Sequence, residues 1–316
     1  MKHRILQAGR LLPALEQCLA ADYALHRLAD EADPQAFLAR HGAEFTGLVT
    51  SAGGVGAPAA LIAALPALRV ISSFGVGLDK IDLAAARERG IAVGYTPDVL
   101  NDCVADTAFA LMLDVARRTA EADRFVRAGR WAAGGAAGFG LGRKVSGARL
   151  GIVGLGRIGQ TIARRASGFD MAVRYHSRRP VEGVPWAHEP ALLELARWAD
   201  YLVVTTAGGP ATRHLIDAPG FDALGPRGFL VNVARGSVVD EAALVRALTE
   251  RRIAGAGLDV FEHEPQVPAE LLALDNVVLL PHIASATEET RQAMAERVLD
   301  NLAAFFDEGR LVSAAC

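Results

Sequence analysis

The chain has 316 residues, 51% of them hydrophobic and 22% charged, with a formal net charge of −3. That length predicts two domains, and that composition a globular protein with a real core. The near-neutral balance supplies no global field for nucleic acid or an anionic membrane, and no apolar run approaches the ~20 residues that span a bilayer.

The opening MKHRILQAGR lacks a long apolar region and a cleavage site, so it reads as a first strand over Ile5–Ala8 and not as a signal peptide. Cys18, Cys103 and Cys316 are odd in number, far apart and without CxxC spacing. They argue against a disulfide framework or a zinc site and for a reducing, cytoplasmic setting, with Cys316 exposed at the end. Strands are expected at Arg4–Ala8, Tyr23–Leu28, Gly47–Thr50, Val70–Ser73 and Ala92–Tyr95. Helices are expected between them at Leu12–Ala20, Pro34–Arg40, Pro58–Leu65 and Asp82–Arg89. Short apolar strands alternating with helices of this length imply βαβ units and a parallel sheet. After Thr96-Pro97-Asp98 comes one long helix, Asp102–Arg127, with Val104, Ala108, Leu111 and Val115 at helical spacing. A Gly/Ala-rich loop, Gly129–Gly142, follows. A second series then begins, with strands at Arg149–Val153, Ala172–Tyr175, Tyr201–Thr205, Phe229–Asn232, Ala256–Asp259 and Val277–Leu280. Its helices include Ile158–Ser167, Pro190–Ala196 and Glu241–Glu250. A last helix, Glu288–Glu308, comes after the second sheet is complete, so its order in the chain suits a return to the first domain.

Leu150–Val153 runs directly into Gly154-Leu155-Gly156-Arg157-Ile158-Gly159 and then a helix. Gly154 permits a tight turn, Gly156 lets the backbone approach a pyrophosphate, and Gly159 lets the helix pack on the strand. The helix N-terminus offers N–H groups and the positive end of its dipole. The flanking strand and helix favour dinucleotide binding over a plain glycine-rich turn. The next strand ends Tyr175-His176-Ser177-Arg178-Arg179-Pro180. An acid there would bind the ribose 2′-OH of NAD, and none is present. Ser177 can hydrogen-bond a 2′-phosphate and Arg178 or Arg179 can pair with it. The residues therefore predict NADPH, with NADH the weaker alternative; the bland reading is a solvated basic loop.

Three later strands end in polar residues: FLVNVARGSVVDE with Asn232, Arg235 and Gly236, AGLDVFEHEP with Asp259 and Glu264, and VVLLPHIASAT with His282. Ligands of open parallel sheets bind at the carboxyl ends of strands. Reduction of a 2-oxo acid needs a cation for the carboxylate and carbonyl, which Arg235 can supply. It also needs a proton donor for the forming alkoxide, which His282 can be, with Glu264 to orient the ring. No metal is required. Taken singly, an arginine in a loop or a histidine after proline is more often solvated or structural. Eight histidines are present, and His263, though next to Glu264, is set aside by its neighbouring position.

In their order, GLGRIG, NVARGSVVDE, GLDVFEHEP and LLPHIASAT resemble the D-isomer-specific 2-hydroxyacid dehydrogenase family, as do ISSFGVGLDKIDL and YTPDVLNDCVADTAFALML nearer the start. Within it, HSRRP resembles the NADPH-using glyoxylate/hydroxypyruvate and hydroxyphenylpyruvate reductases. The resemblance implies two doubly wound α/β domains, a Rossmann nucleotide domain (98–287) inserted in a flavodoxin-like substrate domain (1–97 plus 288–316). It implies substrate binding by Arg235, acid/base work by His282 and support from Glu264. Gly53-Gly54 and Val76-Gly77 match loops whose N–H groups take the substrate carboxylate; the alternative is a pair of tight glycine turns. Asp259 matches the residue that holds the nicotinamide carboxamide, and Thr107 a helix residue near the cofactor. Thr206, Ala234 and Ser285 complete the expected cofactor contacts. The resemblance also implies a homodimer built through the long helix and the loop after it, with Trp131 and Phe139 either near the substrate or engaged in packing. One departure stands at Thr205-Thr206-Ala207-Gly208-Gly209-Pro210, where many relatives carry a proline-containing pair. Formate, phosphonate and phosphoglycerate dehydrogenases of the same fold are alternatives, and a dinucleotide sensor is a further one that Arg235, Glu264 and His282 argue against.

Overall fold

The computed structural model describes residues 2–135 and 138–315, so Cys316 and part of the Gly129–Gly142 loop lie outside the described residues. The chain forms two compact units, Met1–Leu100 with Thr287–Cys316, and Asn101–Ala286.

The first unit carries β1 (Arg4–Gln7), β2 (Ala24–Arg27), β3 (Gly47–Ser51), β4 (Val70–Phe74) and β5 (Ala92–Gly94), all parallel, in the order β2-β1-β3-β4-β5. That is the flavodoxin-like order. The central strands β3 and β4 are buried along nearly their whole length, the small polar Thr50, Ser72 and Ser73 included, which is why they carry no charge and no in–out alternation. The helix Glu288–Glu308 belongs to this unit. Thr287 caps its start by accepting the Thr290 N–H, and Gly309, at φ +72°, ends it. It is fixed to the sheet by Ser72, whose hydroxyl donates to Val298 O, and by Asn301, fully buried and bonded to Tyr95 O and Ser313. A Cβ on Gly94 would lie 2.9 Å from the Asn301 side chain, so the glycine leaves that amide its room.

The second unit carries β6 (Arg149–Val153), β7 (Ala172–His176), β8 (Ala187–His188), β9 (Tyr201–Val204), β10 (Phe229–Asn232), β11 (Gly255–Leu258) and β12 (Val277–Leu279). They form one parallel sheet in the order β12-β11-β10-β9-β6-β7-β8. The order reverses between β6 and β9, which makes the end of β6 a switch point. The helix Asn101–Arg117 packs on this sheet. β11 reads Gly-Ala-Gly-Leu because a Cβ on Gly257 or Gly255 would come 2.9 Å from Leu111 or Val115. Among the described residues, no helix is long and apolar enough to cross a membrane.

The expected helix Asp102–Arg127 is two helices, Asn101–Arg117 and Thr119–Arg127, broken at Arg118 with φ +58°. Asp114 makes the break: its Oδ1 accepts the Thr119 hydroxyl at 2.6 Å and the Ala120 N–H at 2.7 Å, capping the second helix. Inside the expected glycine-rich loop lies a short helix, Arg130–Gly134. Helix Ala218–Leu224, started by Asp217, and the two-residue β8 are further elements that the periodicity does not reveal.

Candidate active site

The turn after β6 is built by its glycines. Gly154 has φ +96°, and a Cβ there would sit 2.8 Å from Thr206 backbone. A Cβ on Gly159 would lie 2.2 Å from Gly154 O, so only glycine lets the helix Arg157–Ala166 come this close to the strand. Gly156 differs: a Cβ there would meet nothing within 4 Å among the described residues, so packing does not demand the glycine. It caps the helix without a side chain, which leaves first-turn N–H groups facing an open approach, the arrangement a phosphate needs. Arg157 is exposed and Ile158 half-buried at the start of this helix. Thr205, from the end of β9, donates to Gly154 O at 2.5 Å and pins the turn.

At the end of β7 the Ser177 hydroxyl donates to Arg179 O at 2.6 Å, which curls the segment, and Arg178 and Arg179 are exposed. His188 and His176 tie the segment down through Ser177 O and Glu189 O at 3.0 Å each.

After β10, Asn232 stabilises the bend by accepting the Ala234 N–H and donating to Arg235 O, each at 3.0 Å. Arg235 is half-buried, and its guanidinium donates to Ala234 O at 2.8 Å. Gly236 is required: a Cβ there would fall 1.9 Å from the Phe261 carbonyl carbon. The segment that carries Arg235 thus rests directly on the backbone that leads to Glu264.

Glu264 Oε2 meets His282 Nδ1 at 2.8 Å, and Glu264 Oε1 accepts the Phe261 N–H at 3.1 Å. Burial works to raise the Glu264 carboxyl. The hydrogen bond and charge of His282, the Phe261 N–H and the Arg235 charge outweigh it, and the group sits below the ordinary carboxylate range. An ionised carboxylate only accepts, so the Nδ1 of His282 carries the shared proton. His282 itself is held at φ +55°, a backbone conformation that side-chain-bearing residues rarely adopt. Asp259 holds it there. This fully buried side chain accepts the Ile283 N–H at 2.7 Å and the Ala284 N–H at 2.9 Å, while its carbonyl accepts the His282 N–H at 2.9 Å. Burial raises the Asp259 carboxyl against the pull of those two N–H groups. Thr107 buttresses the same turn through Ala284 O at 3.3 Å, and Ser285 follows half-buried.

In the first unit, Gly53-Gly54 follows β3 and Val76-Gly77 follows β4. The two loops leave neighbouring strand ends, Ser51 being in register with Phe74. The Gly54 N–H donates to Ser51 O at 3.1 Å, so the tight-turn role is present at this glycine. A Cβ on Gly53 would meet nothing within 4 Å among the described residues.

The family profile described as D-isomer specific 2-hydroxyacid dehydrogenase, NAD binding domain, matches residues 109–284. The chain belongs to the D-isomer-specific 2-hydroxyacid dehydrogenase family. It is 48% identical to hydroxyphenylpyruvate reductase of Plectranthus scutellarioides over 292 residues, 92% of each chain. To glyoxylate/hydroxypyruvate reductase A of Arabidopsis thaliana it is 46% identical over 299 residues, 95% of this chain and 94% of the other. The solved structure of an NADPH-dependent glyoxylate/hydroxypyruvate reductase from Sinorhizobium meliloti, in complex with NADP and malonate, superposes with a TM-score of 0.94. The two are 42% identical, and the match covers 100% of this chain and 97% of the other. The two parallel-sheet α/β domains are those of 2-hydroxyacid dehydrogenases, and the NAD(P)-binding domain of the family lies within the second unit.

Two features of this dehydrogenase escape a reading of its sequence. One is Thr205, whose hydroxyl braces the phosphate-loop turn. The other is Glu262, whose side chain is only 10% exposed and accepts from Arg213 at 2.7 Å and meets His214 Nε2 at 2.9 Å. His214 in turn donates its N–H to Ser237 O at 2.8 Å, beside Arg235. The doubled acid in FEHEP is the one sign of Glu262 in the sequence. Phe139 engages in packing, 4.5 Å from the Arg118 guanidinium and 5.4 Å from Phe125, while Trp131 is 56% exposed.

Proposed function

We propose that this protein reduces a small 2-oxo acid of the glyoxylate and hydroxypyruvate class to the D-2-hydroxy acid at the expense of NADPH. The observation that carries the reading is the 2.8 Å contact between His282 Nδ1 and Glu264 Oε2 in a segment packed against the Arg235 bend. With Nδ1 committed to Glu264, Nε2 is the nitrogen that hands a proton to the forming alkoxide. Glu264 holds the ring in place, and Arg235 clamps the carboxylate and draws charge onto the carbonyl oxygen. In this reading the second unit is the nucleotide domain. Gly154, Gly156, Arg157, Ile158 and Gly159 hold the pyrophosphate, and Ser177, Arg178 and Arg179 hold the 2′-phosphate. Each Asp259 oxygen has a lone pair beyond the one given to the backbone, enough to hold a carboxamide. Thr107, Thr206, Ala234 and Ser285 complete that wall. When bound, the cofactor supplies the hydride. The first unit is the substrate domain, with Gly53, Val76 and Gly77 offering N–H groups to the carboxylate. The likeness to the Plectranthus enzyme supports a second reading of substrate size, an arylpyruvate. A homodimer is part of the reading: Val126, Trp131 and Leu141, on neighbouring stretches, are 51%, 56% and 96% exposed, apolar side chains that a second copy would cover.

The test follows the loss of NADPH or NADH absorbance with glyoxylate, hydroxypyruvate and hydroxyphenylpyruvate. The expected kcat/KM favours NADPH by about ten- to a hundredfold, the worth of one or two arginine–phosphate contacts, and Arg178→Ala with Arg179→Ala erases the preference. A native preference for NADH overturns the 2′-phosphate assignment. Turnover of none of the three acids overturns the catalytic one.

A further inference from the structure

Lys80, in the stretch after β4, has no place in the reaction outlined above, yet it grips the Gly53-Gly54 turn from two sides. Its ammonium donates to Gly53 O at 3.2 Å and to Gly54 O at 3.1 Å. Its own carbonyl accepts the Ala57 N–H at 2.9 Å, and the Asp82 N–H returns to Ala57 O at 3.0 Å. A Cβ on Gly56, at φ +72°, would lie 2.2 Å from Lys80 O, so the loop backbone and Lys80 backbone are in direct contact. The peptide between Gly53 and Gly54 is thereby held at both ends, its N–H on Ser51 O and its oxygen on Lys80. Because a peptide is planar, fixing the oxygen fixes the whole unit. A turn that takes a carboxylate must direct N–H groups at it and keep carbonyl oxygens, which carry partial negative charge, away. An ammonium seated on two successive carbonyls serves the second need: it turns their oxygens onto itself and offsets their charge.

We propose that Lys80 is a positioning residue for the carboxylate end of the 2-oxo acid, acting through the Gly53-Gly54 turn without touching the substrate. The proposal rests on the reading of the first unit as the substrate domain. The experiment is steady-state kinetics of Lys80→Met, Lys80→Arg and Gly53→Val, with glyoxylate and NADPH varied separately. Lys80→Met is expected to raise the KM for glyoxylate about tenfold while kcat and the KM for NADPH stay within about twofold. Lys80→Arg, whose fork can span two carbonyls, recovers most of the loss. An unchanged glyoxylate KM in Lys80→Met overturns the proposal, and so does an equal rise in the KM for NADPH. Gly53→Val separates the two levels, because its Cβ meets nothing within 4 Å among the described residues. If Gly53→Val raises the glyoxylate KM and Lys80→Met does not, Lys80 alone is misassigned. If neither does, the substrate-domain reading falls with it.

Discussion

Two Glu–His pairs leave the same short segment after β11. Glu264 meets His282 at 2.8 Å and Glu262 meets His214 at 2.9 Å, so distance does not distinguish them. Their surroundings do. Both rings are 35% exposed, so ring access does not separate them either; the carboxylates do, Glu264 being 32% exposed and Glu262 only 10%. Glu262 is shared between His214 and Arg213, in a cluster that joins the Arg235 bend to the Glu264 segment. In the proposed reading the same acid–imidazole contact serves proton transfer at the more open carboxylate and fixation where the carboxylate is enclosed and shared. A contact distance identifies a pair; the enclosure of the carboxylate and the number of its partners are what set the two apart.

The sharpest way to break this comparison is to remove each ring. His282→Gln is expected to lower kcat by about 10²- to 10⁴-fold, the usual worth of a general acid, with the KM for NADPH little changed. His214→Gln should cost only a few-fold. Equal losses would mean that the pairs are not functionally distinct. Next in size is Glu264→Gln. The folded chain holds this carboxyl below its unfolded value, so ionised Glu264 stabilises the fold above the unfolded value and that contribution is lost as pH falls through the folded one. Thermal midpoints measured from about pH 7 to about pH 3 should show the wild type ahead at neutral pH and the gap to Glu264→Gln closing in acid. A gap that widens in acid would reverse the sign assigned to the pair. The smallest effect on turnover belongs to Glu262→Gln, which is expected to cost about 1–3 kcal/mol of stability, read by denaturant unfolding, with a modest fall in kcat. A loss of turnover without a loss of stability would move Glu262 into the reaction itself.

What the amino-acid order reveals depends on whether a residue acts through its own chemistry or through a neighbour. Gly154 and Gly159 are legible because only glycine fits where a backbone atom would meet their Cβ, and such positions repeat as a motif. Arg235, Glu264 and His282 are legible as chemical types at strand ends. Both α/β units are legible because apolar strands and helices alternate. The break at Arg118 is not: both flanking segments are helical in pattern, and only the Asp114 carboxylate, turned onto Thr119 and Ala120, decides where one stops. Lys80 and Glu262 are hidden for the same reason, since each acts on segments far from it in sequence.

The return of the helix Glu288–Glu308 to the first unit has a consequence for synthesis. The five strands of that unit leave the ribosome before the second unit, but Asn301, fully buried against Tyr95 O and Ser313, leaves after it. The second unit, continuous in sequence, has all its strands available before then. Vectorial folding therefore runs against chain order: the later-made unit is the first that can finish, and the earlier-made sheet waits for the helix that bonds to it at Ser72 and Tyr95.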